Sequence, residues 1–557
     1  DEILVTGYRG SLQRSLERKR NADSIVESVS SEDLGKYPDQ NVAESLQRLT
    51  GVSVDRSRGE GQFVTVRGFG PQFNTVLYAG RVIASENQGR EFSFDVLAAE
   101  AISGADVYKS TTAKMPTGGI GATIDLQIPK PLAYKGMKGV YRVEGEYDNL
   151  ADTISPHLYG LASYSEDTWG ALVSVNYRDA EYRVDRAVTQ GWFLDDLSYV
   201  PDKKGAGDFA HARVPRNFDL RLETGERKRL GGTLVVEWKP QENFHLTVDG
   251  LVSDYSISSK IYSQANWTQN GNQAFGQVEL NKNNTLIGYS YKKGLSEPTD
   301  IVATSQNRPT ETKEIGVNLQ WSPLDELEFR ADYAYSESFN DNGGNNYFVV
   351  AGFPNARPQY VGGDRFAYPK VLLENASELS AARSHLVIFE GDDTRDSINQ
   401  LRLDFKYSLG GDFLTSVELG LMSLSRTKSQ VSYKTLGDAG ADFIGYKVPL
   451  PETMFKPIRI TQFLGKSVSG PWYKFDPHKI ADYLWSQSAG GDAGGQSGFS
   501  PVNQPFDTWR VSEDPREIYL QLNGQGELWG VPFTGNLGAR YGDTQIGTLG
   551  NQQQLLG

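Results

Sequence analysis

From Gly139 onward, apolar and polar residues alternate with a period of two. Tyr141, Val143, Gly145 and Tyr147 fall on one side of a chain whose other side carries Arg142, Glu144, Glu146 and Asp148. No helical period fits that order, whereas the pleat of a β-strand does. The pattern recurs in Ala171–Val173–Val175–Tyr177, Leu234–Val236–Trp238, Phe244–Leu246–Val248, Ile315–Val317–Leu319–Trp321 and Leu327–Phe329–Ala331–Tyr333–Tyr335. It continues in Leu401–Leu403–Phe405–Tyr407, Val417–Leu419–Leu421, Ile518–Leu520–Leu522 and Phe533–Leu537–Ala539–Tyr541, with Leu158 to Tyr164 a weaker strand mixed on both faces. This makes about eleven strands. Short turns are expected near residues 166, 241, 324, 410 and 531, and long connections over roughly 180–226, 256–310, 338–395 and 426–514. Short turns on one side and long loops on the other are the pattern of an outer-membrane β-barrel. A soluble sandwich or propeller does not require loops so one-sided. Eleven strands alone would leave two unpaired edges, which hydrocarbon does not tolerate, so further strands are expected beyond this chain.

The first ~130 residues read differently, as a Gly-punctuated α+β domain. Ser11 to Arg20 is charged and helical in character. Val42, Leu46 and Leu49 share one face of a short helix that Thr50-Gly51 ends. Val52–Val54, Phe63–Gly68 and Thr75–Arg81 read as strands, Ala98–Val107 as a helix running into a strand, and Gly118–Leu126 as a Gly-kinked final strand. Asp1-Glu2-Ile3-Leu4-Val5-Thr6 is a β-prone run, either a first strand or a segment that adds itself to a partner's sheet edge.

Composition narrows the class. A net charge of −14 argues against a nucleic-acid partner. No apolar run approaches the ~18 residues of a transmembrane helix, a test that a barrel does not have to pass. The 28 Tyr, 25 Phe and 9 Trp suit interfacial girdles or stacking platforms. There is no Cys, hence no disulfide, thiolate metal site or cysteine nucleophile. His157, His211, His245, His385 and His478 show no metal-ligand spacing, and no phosphate loop, dinucleotide fingerprint or nucleophile elbow is present. No catalytic residue, metal or cofactor is assigned, and the chain is read as not an enzyme.

Several motifs in order carry a resemblance. They are Asp1–Thr6; Asn41-Val42-Ala43-Glu44-Ser45-Leu46-Gln47-Arg48-Leu49-Thr50-Gly51-Val52; Val64-Thr65-Val66-Arg67-Gly68-Phe69-Gly70; Val76–Arg81; and Val107-Tyr108-Lys109-Ser110 leading to Gly118–Asp125. Together, ahead of a barrel pattern, they resemble a TonB-dependent outer-membrane transporter. Ser85-Glu86-Asn87, Gly89–Leu97 and Arg18–Ser24 resemble a proteobacterial branch associated with carbohydrate uptake. The resemblance implies a mainly-β fold: a plug over residues 1–135 inside a 22-stranded antiparallel barrel, of which 136–557 supply about the first half. It implies location in the bacterial outer membrane, with outer-membrane lipid, a small-molecule substrate and the TonB complex of the inner membrane as partners. Asp1, Glu2, Ile3, Leu4, Val5 and Thr6 correspond to the TonB-binding segment. Ala79 stands before Gly80 where a polar residue is common, so that turn departs from the family pattern.

Candidate roles follow. Arg67 with Gly68, at the end of an apolar strand, is either a solvated strand end or a latch to carboxylates such as Glu144 or Glu146; the family pattern favours the latch. Phe73, Asn74, Asn87 and Arg90, in the apex-like loops, suit a hydroxyl-rich ligand as well as plain solvation. Trp192, Trp267 and Trp472, with Tyr360, Trp485 and Trp509, sit in long connections, and Asp195 lies beside Trp192. Any one Trp suits loop packing or interfacial anchoring, but as a set they favour a sugar or other planar-faced ligand over a bare ion. The leading expectation is energy-coupled import of an oligosaccharide, with ferric-siderophore or other metal-chelate uptake and a surface docking role as alternatives.

Overall fold

The computed structural model describes residues 13–30, 41–268, 275–292, 298–354, 356, 358–362, 370–373, 379–411, 413–436, 445–458, 462–464, 466–467, 472–487 and 499–551. Alternation builds one large antiparallel sheet. Eleven long strands follow one another in chain order, from Gly136–Asp148 to Val531–Gly550. Asn346–Phe353 and Val502–Asn503 pair with it off this path. Five connections on one side are short, at 166–168, 242–243, 325–326, 409–413 and 529–530. The opposite side carries 149–152, also short, and the long segments 189–216, 268–298, 342–382 and 435–508.

The sheet is inverted relative to a soluble one. Outward residues near the short turns are apolar and exposed, among them Tyr141, Val175, Leu234, Val317, Tyr333, Leu421 and Ile518. Inward residues are polar and buried, among them Asn176, Thr233, Asp249, Glu314, Ser336, Gln400 and Gln521. A sheet with an apolar outer face and protein packed against its inner face has the order of a membrane-spanning barrel wall. Aromatic pairs mark the short-turn rim: Tyr164–Trp169 at 5.6 Å, Trp238–Phe244 at 5.5 Å and Phe329–Phe405 at 5.1 Å between ring centroids.

Strand length corrects the loop limits. A tilted strand crosses hydrocarbon in about 9–11 residues. Asn217–Gln241, Phe244–Trp267 and Thr299–Leu324 have 25, 24 and 26 residues and continue past the apolar band. Beyond it their outward residues turn polar, as with Asp254, Ser256, Ser258 and Lys260, while ladder pairing continues. The binary pattern fades where lipid ends, so the segments expected to be loop from 180, 256, 338 and 426 begin as strand.

Against the sheet's inner face sits the N-terminal region. Its central sheet has the order Val26–Ser30, Gly104–Tyr108, Ala122–Gln127, Asn74–Tyr78, Arg81–Val82. A hairpin, Val52–Ser57 with Glu60–Val66, lies beside it. Residues 13–21 are helical. Helix Val42–Leu46 is capped by Asn41, whose side chain accepts from the Glu44 N–H and donates to Gly61 O. Of the helix running into a strand expected over Ala98–Val107, the helical part is a single 3₁₀ turn, Ala99–Ala101, and the strand is Gly104–Tyr108. Gly104 cannot carry a side chain there, because a Cβ would meet Val29 O at 2.9 Å. The apolar core of this region runs into the wall through Tyr182, Val235, Leu251, Tyr255 and Ile257. The whole is a plug-like α+β region with a large antiparallel sheet, open at both ends among the described residues.

Candidate functional site

Buried charged residues join the N-terminal region to the inner face of the large sheet. Arg81 follows the Ala79-Gly80 turn and has 2% of its side chain exposed. Its guanidinium meets Asp249 at 2.7 Å, Glu314 at 3.1 Å and Asp332 at 2.9 Å, carboxylates from three successive wall strands. Burial opposes its charge, but Asp332, Asp249 and Glu314 more than offset that and hold its pKa above the ordinary range. The next residues are zipped to the wall. The Val82 N–H donates to Gln400, that of Ala84 to Ser336 and that of Ser85 to Asp396, at 3.1, 2.9 and 3.0 Å.

A second hub is Glu60, which meets Arg178, Arg227 and Arg229 at 3.3, 2.8 and 2.9 Å. Burial pushes its carboxyl up, yet the guanidinia of Arg229, Arg227 and Arg178 hold it at about 2. Arg58 adds a pair to Glu223, and Asp95 accepts from Arg308 and from Tyr255. Sequence reading missed all of these. The available signal was an ionisable residue on the lumen face of a membrane strand, which must find a partner inside.

The plug latch expected at Arg67 is corrected. Arg67 donates to Gly121 O at 2.8 Å, within the plug. Glu144 instead meets His157, and Glu146 meets Arg178. Arg67 and Gly68 have φ of 52° and 80°, the turn geometry that closes strand Glu60–Val66. Ala79 and Gly80 take the same left-handed pair, φ 53° and 84°, and the Gly80 N–H is held by Asp125 at 2.9 Å. Ala79 therefore occupies a position that suits Asn or Gly better. Burial raises Asp125 to about 6, with the Gly80 N–H working against the shift.

The expected ligand residues do not converge as a set. Phe73 is 42% exposed and packs edge-on against Phe69. Asn74 is buried, its amide donating to Val64 O, which removes it from any ligand face. Asn87 closes the apex loop on Ser85, Ser93 and Glu91 O. Trp192 and Asp195 lie in a small hairpin, Trp192–Asp195 with Ala212–Pro215, while Trp267 ends a wall strand opposite Asn217. Trp472 is corrected: it is 7% exposed, packed at 5.1 Å on Phe463 in an outer cluster with Leu222, and so fills a core. The segment Asp1–Thr6 lies outside the described residues.

Arg90 does reach a cavity. About 310 Å³ lies between the apex loop and the wall, lined by Gln88, Gly89, Arg90, Arg426, Lys428, Trp509, Val511 and Glu513. Arg90 pairs with Glu513 and remains 62% exposed. Arg426 is held by Asp396 at 2.7 Å, and Lys428 donates to Gly89 O at 2.6 Å. Gln88 reaches Asp392 at 3.2 Å, which borders a second, amide-rich cavity of 550 Å³ with Asn307, Asn340, Asn342 and Tyr433. Together they form a polar vestibule above the plug with a cationic, Trp-bearing floor.

A family model described as TonB-dependent Receptor Plug Domain matches residues 18–123. No curated protein matches the chain. Solved structures that resemble it include the ferric preacinetobactin receptor BauA of Acinetobacter baumannii, at 9% identity and TM-score 0.34, over 96% of this chain and 77% of that one. The ferric yersiniabactin uptake receptor FyuA of Yersinia pestis gives 9% identity and TM-score 0.32, over 94% and 72%. The hemophore receptor HasR of Serratia marcescens, with HasA and heme, gives 10% identity and TM-score 0.28, over 96% and 80%. The expected carbohydrate-type branch is thereby corrected: the resembling structures are titled as receptors for ferric chelates, a siderophore or heme with its hemophore. Residues 18–123 are a TonB-dependent receptor plug domain, and the chain that carries them is an outer-membrane transport protein working with the TonB complex, not an enzyme.

Proposed function

We propose that this transporter imports a ferric chelate, an anionic, ring-bearing small molecule carrying iron. Plug-gated, TonB-dependent transport of a small extracellular ligand is the established frame. The observation that supports the ligand class is the vestibule floor, where Arg90, Arg426 and Lys428 surround Trp509, with Glu513 lining it and Asp396 behind. Guanidinium and ammonium groups suit the oxygen shell of an iron chelate, and an indole suits its aromatic arms. The ligand enters from the long-loop side and rests on the apex loop. The segment Asp1–Thr6 then recruits the TonB complex by strand addition, in which main-chain hydrogen bonds supply the grip. In this reading residues 1–135 are the plug and 136–557 contribute eleven strands to a closed 22-stranded barrel, the size class of plugged outer-membrane transporters.

The test is quenching of tryptophan fluorescence by ferric catecholate, hydroxamate and hydroxycarboxylate chelates on the full-length protein. At least one class binds, and Arg90→Glu with Lys428→Glu weakens it at least tenfold. Absence of binding by every class, or binding indifferent to both substitutions, removes the proposal.

A further inference from the structure

The vestibule has two chambers of different chemistry. Beside the cationic floor lies the 550 Å³ chamber, whose lining includes five carboxamides, those of Gln306, Asn307, Asn340, Asn342 and Asn346. They come from strands Thr299–Leu324, Leu327–Asp341 and Asn346–Phe353 and from the turn between the last two. These strands lie in the interior of the large sheet, away from both of its open edges. Several of the amides are fixed by the backbone. Asn346 Oδ1 accepts from the Asn307 N–H at 2.6 Å. Asn342 donates to Asn307 O at 2.7 Å and accepts from the Asn345 N–H at 3.0 Å. Two amide atoms have no such role. Asn340 Oδ1 is buried and accepts no hydrogen bond, and Asn346 Nδ2 donates none, among the described residues. A buried acceptor without a donor costs free energy, which a guest offering both an N–H and a C=O recovers.

Charge and shape narrow the guest. Arg308 is engaged by Glu86 and Asp95, and Lys434 by Glu390 at 3.2 Å. Asp392 accepts from Ser432 at 2.6 Å and from Gln88 at 3.2 Å. Of the lining charges only the side chain of Asp507 has no partner among the described residues, so the chamber does not favour an anion. Its lining contains no Trp. Tyr347 and Phe348 pack into apolar clusters, and Tyr433 is hydrogen-bonded to Asp393. A ring that stacks, aromatic or sugar, has no platform here of the kind Trp509 supplies on the cationic floor. The two chambers meet at Gln88, which lines the cationic one and reaches Asp392 of the other.

We infer that the amide chamber takes an uncharged peptide arm of the chelate whose iron-binding head lies on the cationic floor. Each peptide unit carries one N–H and one C=O, and a carboxamide answers both. Asn340 Oδ1 accepts from an N–H of the arm, and Asn346 Nδ2 donates to one of its C=O groups. The chamber is within the ~300–1,000 Å³ of small-molecule sites, which suits a short peptide. The inference rests on the chelate reading above and narrows it to chelates that carry an amino-acid tail.

The experiment is fluorescence titration of the full-length protein with iron(III) complexes of one catecholate, one hydroxamate and one hydroxycarboxylate head. Each head is made bare, with an uncharged Ser-Gly-Ser-Gly tail, with an alkyl tail of equal length and with a glycosyl tail of equal size. For a head that binds, the peptide tail tightens binding at least tenfold over the bare form, and the other two tails gain less. Asn340→Leu cuts the gain from the peptide tail at least fivefold. So, separately, does Asn346→Asp, which keeps the acceptor for the Asn307 N–H and removes the donor. Heat-modifiable mobility on gels confirms that each variant is folded. A gain from the peptide tail below tenfold, an equal gain from the alkyl or glycosyl tail, or a gain undiminished in either variant overturns this inference and leaves chelate import standing. Binding of no head, with any tail, overturns both.

Discussion

At the scale of residues, the plug is fixed by a few buried charges whose partners come from far along the chain. Removing Arg81 leaves Asp249, Glu314 and Asp332 facing one another without a cation. Breaking a buried ionic cluster from one side costs about 3–5 kcal/mol. Arg81→Ala should therefore loosen the plug, seen as a lower melting temperature and faster proteolysis of residues 13–127. The same contact is testable from the wall. A Cβ at Gly316 would collide with the Arg81 guanidinium, whereas one at Gly160 meets nothing within 4 Å. Gly316→Ala should cost about 1–3 kcal/mol, as overpacking does, and Gly160→Ala should be silent in the same melt. Asp125 gives a pH signature. Its folded pKa of about 6 lies above the usual aspartate value, so the folded plug binds this proton more tightly than the unfolded chain. Plug stability should rise as pH falls through about 6 and approaches the aspartate range near ~4. Asp125→Asn should be more stable than wild type at neutral pH and lack that rise, read by melting between these limits. None of these partnerships was legible in the sequence. Arg81 and Asp332 are far apart along the chain, and only the strand register brings them together.

At the scale of elements, the sequence was most readable where lipid imposes a period of two. Leu401–Tyr407, Val417–Leu421 and Ile518–Leu522 could be read as strands because each outward residue there is apolar. Past the band, Lys228, Asp254 and Lys313 replace them, and strands that continue look like loops. The short turns were readable for a different reason: Trp529-Gly530 takes φ of 53° and 79°, and a Gly after a left-handed residue is the hairpin signal. The same geometry makes Ala79 improvable. A left-handed alanine costs about 1 kcal/mol, and Ala79→Asn should recover most of it as a higher plug melting temperature. The aromatic loop residues were the least readable. Trp472 and an exposed platform Trp look alike in sequence, and only burial against Phe463 separates them. Trp472→Ala should destabilise the cluster it forms with Phe463 and Leu222 by about 3–5 kcal/mol while leaving chelate affinity unchanged, measured by melting and by fluorescence titration.

At the scale of the whole molecule, the parts have complementary jobs. The wall is apolar outside and polar inside, the plug is anchored by ion clusters and a shared apolar core, and a cationic vestibule lies on the apex loop. The fold class and the plug's motifs were legible because they are local: strand alternation, glycine turns and the order of short motifs. The vestibule behind the proposed ligand class was not, because it depends on which side chains of distant strands meet the apex loop, as Lys428 and Trp509 do beside Arg90. If Asp1–Thr6 recruits the TonB complex by strand addition, a proline at Leu4 or Val5 should abolish uptake but spare binding, since it removes a donor and restricts the neighbouring backbone. The most direct test of energy-coupled chelate import is uptake of iron-55-labelled ferric chelates by cells bearing the full-length protein, with and without a functional TonB complex. Saturable accumulation of one chelate class is expected, lost when the TonB complex or the proton gradient is removed, while surface binding persists. Accumulation that continues without the TonB complex, or the absence of accumulation for every chelate, would contradict it.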